Sequence, residues 1–232
     1  MTRGATSLGT PRLHVRTIGS TNARAKELAT AGAVHGTLVT ATAQTAGRGR
    51  QGRSWAAPPG RALLASVVLR EFGALLPLAA AAAVADVAGD RALVKWPNDV
   101  LVEGRKIAGI LAEARPQEGW AVLGIGLNVA VRPEDLPEEL RDRAGSLGLE
   151  PGDIEPTLDR LLRALERWLD ADDGELLDAL RARDALAGRR ISWAAGAGAG
   201  TARGISPSGG LIVELEDGST TTLEAGEVHL SV

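Results

Sequence analysis

The chain has no cysteine, no tyrosine, one phenylalanine, one methionine and three histidines among 232 residues. Without cysteine there can be no disulfide, thiol nucleophile or thiolate metal site, which fits a reducing compartment. His14, His35 and His229 are widely spaced, so no imidazole metal centre and no protein-held metal site is expected. The shortage of Tyr and Phe removes the usual stacking platforms for single-stranded nucleic acid. Positive charge is not in excess: the formal net charge is −3, whereas a general nucleic-acid binder is usually basic. Long apolar runs are missing as well. The longest, residues 75–85, is interrupted by Pro77 and is too short to span a bilayer. Residues 1–11 are polar and lack the apolar core of a signal peptide. The expectation is a soluble cytoplasmic protein that binds neither DNA nor a membrane. Hydrophobic residues make up 44% and charged residues 24%, as in a globular protein with room for one large domain and a small one.

Against this background residues 47–55, GRGRQGRSW, stand out. They hold three glycines (Gly47, Gly49, Gly52) and three arginines (Arg48, Arg50, Arg53), and end on Trp55. Glycines at this density let backbone N–H groups come close to a bound group. Arginine offers planar charged donors suited to phosphate and carboxylate, and Trp55 offers a flat face for a base. The stretch reads as a loop closing over an anionic nucleotide. A solvated basic loop and an RNA-binding segment are the alternatives.

Residues 1–12 read as a loose tail and 13–18 as a short strand. Residues 23–29 form a helix that Ser20 or Thr21 can cap and Gly32 can end. Residues 37–44 form a strand leading into the arginine loop, and 62–69 (ALLASVVL) a buried strand. An Ala- and Leu-rich helix spans 75–89 and a short strand 93–95. KWPND (95–99) opens a β-hairpin that turns at Glu103-Gly104 and returns through 106–114. In this segment Trp96 reads as core, Lys95 as a structural partner and Asn98 as the holder of the turn. Residues 120–129 (WAVLGIGLNV) form a further strand, where Gly124 and Gly126 allow close approach. Residues 132–153 read as a connecting loop, followed by amphipathic helices at 155–171 and 174–187. From Gly188 short strands separated by Gly, Ser and Asp turns suggest a small SH3-like β-barrel docked on the larger domain.

Ser20-Thr21-Asn22, Gln44 with GRGRQGRSW, KWPNDVL with Lys106 and Gly109, and GIGLNV up to Asn128 together resemble the biotin protein ligases. The pairing of the arginine loop with KWPND about 40 residues after Trp55 is the specific part. The resemblance implies an α/β (α+β) fold: a class II synthetase-like mixed sheet with helices over residues 1–187, and the SH3-like barrel over 188–232. It implies a ligase that joins biotin and ATP, with Mg2+, into biotinyl-5′-AMP. Biotin then passes to one lysine of a biotin carboxyl-carrier domain. A monomer or homodimer is expected. Ser20, Thr21 and Gln44 would bind the ureido head, with Asn22 and Gly47 also at the biotin site. Lys106 and the Gly109 backbone would hold the other end and its carboxylate, and Gly124 and Gly126 would leave room for the apolar chain. Arg48, Arg50 and Arg53 would bind carboxylate and phosphates. Trp55 would stack on adenine and Asn128 would contact its polar edge. Lys106 and Arg50 would neutralise charge during adenylation, and Asp99 would orient or accept the proton of the carrier lysine.

The sequence departs from the family in two places. Thr42 stands where many relatives have a glutamate, two positions before Gln44. Only 19 residues precede Ser20, too few for a winged helix-turn-helix, so repressor activity is not expected. A lipoate or octanoate ligase or transferase of the same fold, and a non-catalytic nucleic-acid-binding protein, are the competing functions.

Overall fold

The structure, a computed structural model, describes residues 8–224, 226 and 228–230; the first seven residues of the expected tail lie outside these. The first half of the chain forms β1 (Arg12–Ile18), α1 (Thr21–Thr30), β2 (Leu38–Gln44), β3 (Ala62–Leu69), α2 (Leu76–Ala88), β4 (Ala92–Lys95), β5 (Asp99–Val102), β6 (Arg105–Arg115) and β7 (Trp120–Asn128). The seven strands make one sheet in the order β1-β2-β3-β7-β6-β5-β4. β1 runs parallel to β2 and every other neighbour is antiparallel, so the sheet is mixed as expected. β3 is buried along its whole length. A strand with no polar face belongs in the middle of a sheet, and β3 lies between β2 and β7.

Ser20 caps α1, its hydroxyl accepting the Ala23 N–H, and the helix stops before Gly32, whose φ is +89°. α2 is apolar all round and is buried against β4, β5 and β6 on one side and later helices on the other. The second half of the chain starts with α3 (Glu138–Arg141), α4 (Ile154–Asp170) and α5 (Asp173–Ala182). Leu158, Leu161, Leu165 and Trp168 form the buried stripe of α4 against α2.

Three expectations need correction. Residues 8–12 are not loose: Leu8 is buried, and its N–H donates to Glu166 Oε1. The last helix stops at Ala182 rather than 187. There Val94 N–H donates to Arg183 O and Ala185 N–H to Val94 O, so the chain satisfies the edge of β4 instead of continuing as a helix. The expected loop over 132–153 carries α3 and is bonded to β6: Lys106 N–H donates to Arg143 O and Gly145 N–H to Lys106 O.

The C-terminal region folds into a five-stranded antiparallel sheet of β8 (Arg190–Trp193), β9 (Gly198–Ile205), β10 (Leu211–Glu214), β11 (Thr220–Leu223) and β12 (Val228–Leu230), ordered β11-β10-β9-β8-β12. The barrel is open, because among the described residues no ladder joins β11 to β12. Ile191, Ala202, Ile205, Leu211, Val213 and Val228 belong to the same buried cluster as α2 and the main sheet. Trp96, 2% exposed, is core as expected, and its indole N–H donates to Gly209 O at 2.9 Å. The C-terminal sheet is thus fastened to the KWPND turn.

Candidate active site

A pocket opens between the start of α1, the end of β2, the arginine loop, the KWPND turn and the faces of β6 and β7. Ser20, Thr21, Asn22, Gln44, Arg48, Arg50, Arg53, Trp55, Asp99, Lys106, Gly109, Gly124 and Gly126 all line it. Residues as much as a hundred positions apart are thereby brought to one cavity. Gly47 and Asn128 lie off its wall.

One end is uncharged and rich in hydrogen bonds. Gln44 Oε1 is 2.7 Å from Thr21 N and 3.0 Å from its hydroxyl oxygen. The Thr21 N–H can only donate, which fixes the orientation of the Gln44 amide and leaves its NH2 group as the donor available to a ligand. Gly47 serves this end indirectly. A Cβ there would fall 2.3 Å from Trp55 O and 3.0 Å from Gln44 Nε2, so glycine is what lets the loop pack against Gln44. Thr42 turns to His14, its hydroxyl 3.3 Å from Nε2, and takes no part in holding Gln44.

The floor is the glycine strip of β6 and β7, and side chains of the pocket itself lie over it. The space above Gly124 is taken by Asn22: a Cβ would sit 2.0 Å from Asn22 Oδ1. The space above Gly126 is taken by Trp55, whose Cε2 would be 2.4 Å from a Cβ, and Trp55 also covers Gly109. The expected stacking indole therefore lies over the glycine floor, 5.7 Å from Lys106 Nζ to its ring centre. Its buried Nε1 has no hydrogen-bond partner among the described residues. Asn128, expected at an adenine edge, donates instead to Gly145 O at 2.8 Å, holding the segment after α3.

The other end is charged. Lys106 Nζ is 2.6 Å from Asp99 Oδ1, an ion pair not aligned as a hydrogen bond. A β-bulge creates this pairing: Val100 faces Ala108 but Leu101 faces Lys106, with Ile107 as the extra residue. In a regular strand Lys106 and Gly109, three apart, would point to opposite faces; the bulge brings both to the pocket. Asn98 holds the turn, donating to Ile110 O at 3.0 Å while its own carbonyl accepts the Ile110 N–H. It also ties down the loop, since Arg50 Nη1 donates to Asn98 Oδ1 at 3.2 Å. Burial lowers the Arg50 pKa from its usual value, and Asp99 opposes the shift. Burial does the same to Lys95, opposed by Asp99 and reinforced by Lys106, Arg53 and Arg143. Within the loop Gly49 N–H donates to Arg53 O and Trp55 N–H to Gly47 O, so it is a small closed hairpin that needs the positive φ of Gln51 and Gly52.

Residues 15–129 match the biotin/lipoate A/B protein ligase family, and 199–231 match the biotin protein ligase C-terminal domain. The biotin–[acetyl-CoA-carboxylase] ligase of Mycobacterium tuberculosis is 38% identical over 235 residues, covering 91% of this chain and 86% of that one. The chain belongs to the biotin protein ligases. The biotin protein ligase of Aquifex aeolicus, solved in complex with biotin and ATP, superposes with a TM-score of 0.78 at 28% identity, covering 96% of this chain and 99% of that one. The bifunctional ligase/repressor BirA of Bacillus subtilis is 38% identical over 148 residues, 59% of this chain and 46% of its own length. The chain thus spans about half of that relative.

For a biotin protein ligase, the sequence reading passed over three polar residues at this site. Ser66, fully buried in β3, has its hydroxyl 2.8 Å from Thr21 Oγ1 and 2.6 Å from Asn22 Oδ1. Glu113 on β6 accepts from Asn22 Nδ2 at 2.9 Å and pairs with Lys26 of α1. The available signal was a lone hydroxyl in the apolar run ALLASVVL, a pattern that asks for a buried partner.

Proposed function

We propose that the chain is an ATP-dependent biotin ligase that forms biotinyl-5′-AMP in this pocket and transfers biotin to a lysine of a biotin carboxyl-carrier domain, as in acetyl-CoA carboxylase. One observation carries the proposal. The pocket has an uncharged hydrogen-bonding end at Ser20, Thr21 and Gln44, a middle where the Trp55 indole lies over Gly109 and Gly126, and a cationic end at Lys106 and Arg50. That order matches a ligand with a polar ring, an aliphatic chain and a carboxylate.

In the first step a biotin carboxylate oxygen bonds to the α-phosphorus of ATP, the bond from that phosphorus to the bridging oxygen breaks, and pyrophosphate leaves. Two anions must approach each other. Lys106 and Arg50 offset that repulsion where it develops, Lys106 by leaving Asp99 for the carboxylate. Arg48 and Arg53 supply further charge to the phosphates. Among the described residues Asp99 is the single carboxylate on the pocket wall, and Mg2+ would arrive as part of the nucleotide substrate, whose phosphate charge it reduces. In the second step the carrier lysine nitrogen bonds to the biotinyl carbonyl carbon and AMP departs. Asp99, on the pocket wall beside Lys106, orients or accepts the lysine proton. Trp55 and the loop hairpin cover the floor and keep water from the mixed anhydride.

A lipoate or octanoate ligase of the same fold is the second reading, and the Gln44 NH2 group, left as a donor because Thr21 occupies the Gln44 oxygen, argues for the ureido ligand. ATP–pyrophosphate exchange distinguishes the two. Exchange is expected with biotin and to be at least about a hundredfold weaker with lipoate or octanoate, the size of discrimination that unpaired site donors produce. Equal exchange with lipoate would contradict the assignment.

A further inference from the structure

We infer that Glu113 and Lys26, acting through Asn22 and Ser66, are positioning residues that hold the head-group end of the pocket in its binding geometry; this rests on the biotin-ligase function proposed above. An unbroken line of contacts runs from the outer face of α1 to the ligand side of Gln44. Lys26 Nζ lies 2.5 Å from Glu113 Oε1, and Asn22 Nδ2 donates to Glu113 Oε2 at 2.9 Å. Ser66 Oγ then stands 2.6 Å from Asn22 Oδ1 and 2.8 Å from Thr21 Oγ1, which is 3.0 Å from Gln44 Oε1. The line joins α1, β6, β3 and β2, the four elements whose relative placement sets this end of the pocket.

Asn22 is the joint. Both of its amide protons are used, toward Leu111 O and Glu113, and its oxygen accepts from Ser66. Because the carboxamide lies against the bare backbone of Gly124, it has no room to turn. Asn22 lines the pocket, yet its hydrogen bonding is directed away from a ligand. Neither Glu113, Lys26 nor Ser66 lines the pocket, so any effect of theirs on binding passes through Asn22 and Thr21. Burial by itself would raise the Glu113 pKa; hydrogen bonds from Lys26 and Asn22, with the nearby charges of Lys26 and Arg48, hold it below its usual value. The ionised form is what the line requires, because both oxygens must accept. A glutamine at 113 has the same shape but must turn its NH2 group toward either the Lys26 ammonium or the Asn22 NH2, a donor facing a donor.

The test is steady-state kinetics of biotin-dependent pyrophosphate release by the full chain and by Glu113→Gln, Lys26→Met, Lys26→Arg and Glu27→Gln. Glu113→Gln is expected to raise KM for biotin about tenfold, the size of one lost hydrogen bond to a charged group, with KM for ATP unchanged. Lys26→Met should shift it in the same direction by less, and Lys26→Arg should restore it. Glu27→Gln, which breaks only the exposed pair with Arg24 on the same helix, should leave both constants alone. If both Glu113→Gln and Lys26→Met keep KM for biotin within about twofold of the parent, or raise both KM values alike, the positioning role is overturned. A parent protein with no biotin-dependent release would sink the ligase assignment itself, a different and separately visible failure.

Discussion

Lys106→Ala is expected to lower biotin-dependent pyrophosphate release by roughly 10²–10³-fold, the usual effect of removing one preorganised charge stabiliser from a transition state. The ammonium stands at the one place where the cationic end meets the glycine floor, 3.3 Å from the position of a Cβ on Gly109. The bulge in β6 puts it there. Removing it also leaves Asp99 without its ion-pair partner, so a loss of activity could come from an uncompensated carboxylate facing the incoming anions. The double variant Asp99→Asn with Lys106→Ala separates the two causes. It removes the negative charge as well and should stay inactive if the ammonium acts on the substrate. The single variant should bind biotin's ring end with little change, because Thr21 and Gln44 are untouched. Near-normal pyrophosphate release by Lys106→Ala at saturating biotin would remove Lys106 from the catalytic set.

Arg50→Gly is expected to separate making the adenylate from keeping it. Arg50 has two tasks here. Its guanidinium faces the pocket, and it donates to Asn98 Oδ1, fastening the loop to the KWPND turn. Losing its paired hydrogen bonds to carboxylate and phosphate should cost about 2–4 kcal/mol of hold on the adenylate. The glycine also frees the backbone, so the loop hairpin and Trp55 lift from the floor sooner. Lys106 remains, so the adenylate still forms. The released mixed anhydride then acylates exposed lysines on any protein nearby. In a reaction containing a bystander protein without a carrier domain, biotin should appear on the bystander with the variant and not with the parent. A variant that makes adenylate and leaves the bystander unlabelled would shift retention from Arg50 to Arg48 or Arg53.

Much of this site was legible in the sequence because its chemistry is concentrated in short runs. GRGRQGRSW, KWPND and Ser20-Thr21-Asn22 each keep their residues on one local turn, and the structure only has to bring three turns together. β3 and the α4 stripe were legible for the same local reason, burial written as composition or as helical spacing. What was not legible depends on register. Ser66 meets Asn22 because β3 pairs Ser66 with Gly124 of β7, and no spacing in the chain encodes that pairing. Lys106 and Gly109 share a face only through the bulge at Ile107. Trp55 was expected to stand out as a stacking surface, but the loop closes into its own hairpin and turns the indole onto Gly126. The last helix ends early because the buried edge of β4 needs partners, a demand that the helical pattern of residues 174–187 does not show.

The proposed reaction joins biotin to a carrier lysine at the expense of ATP. Intact-mass measurement of a biotin carboxyl-carrier domain, incubated with this protein, ATP, Mg2+ and biotin, tests it most directly. The expected result is a mass increase equal to one biotin less one water, on the carrier lysine, absent when ATP is omitted and formed about 10²–10³-fold more slowly with Lys106→Ala. An unmodified carrier in the complete mixture, or the same increase without ATP, would contradict it.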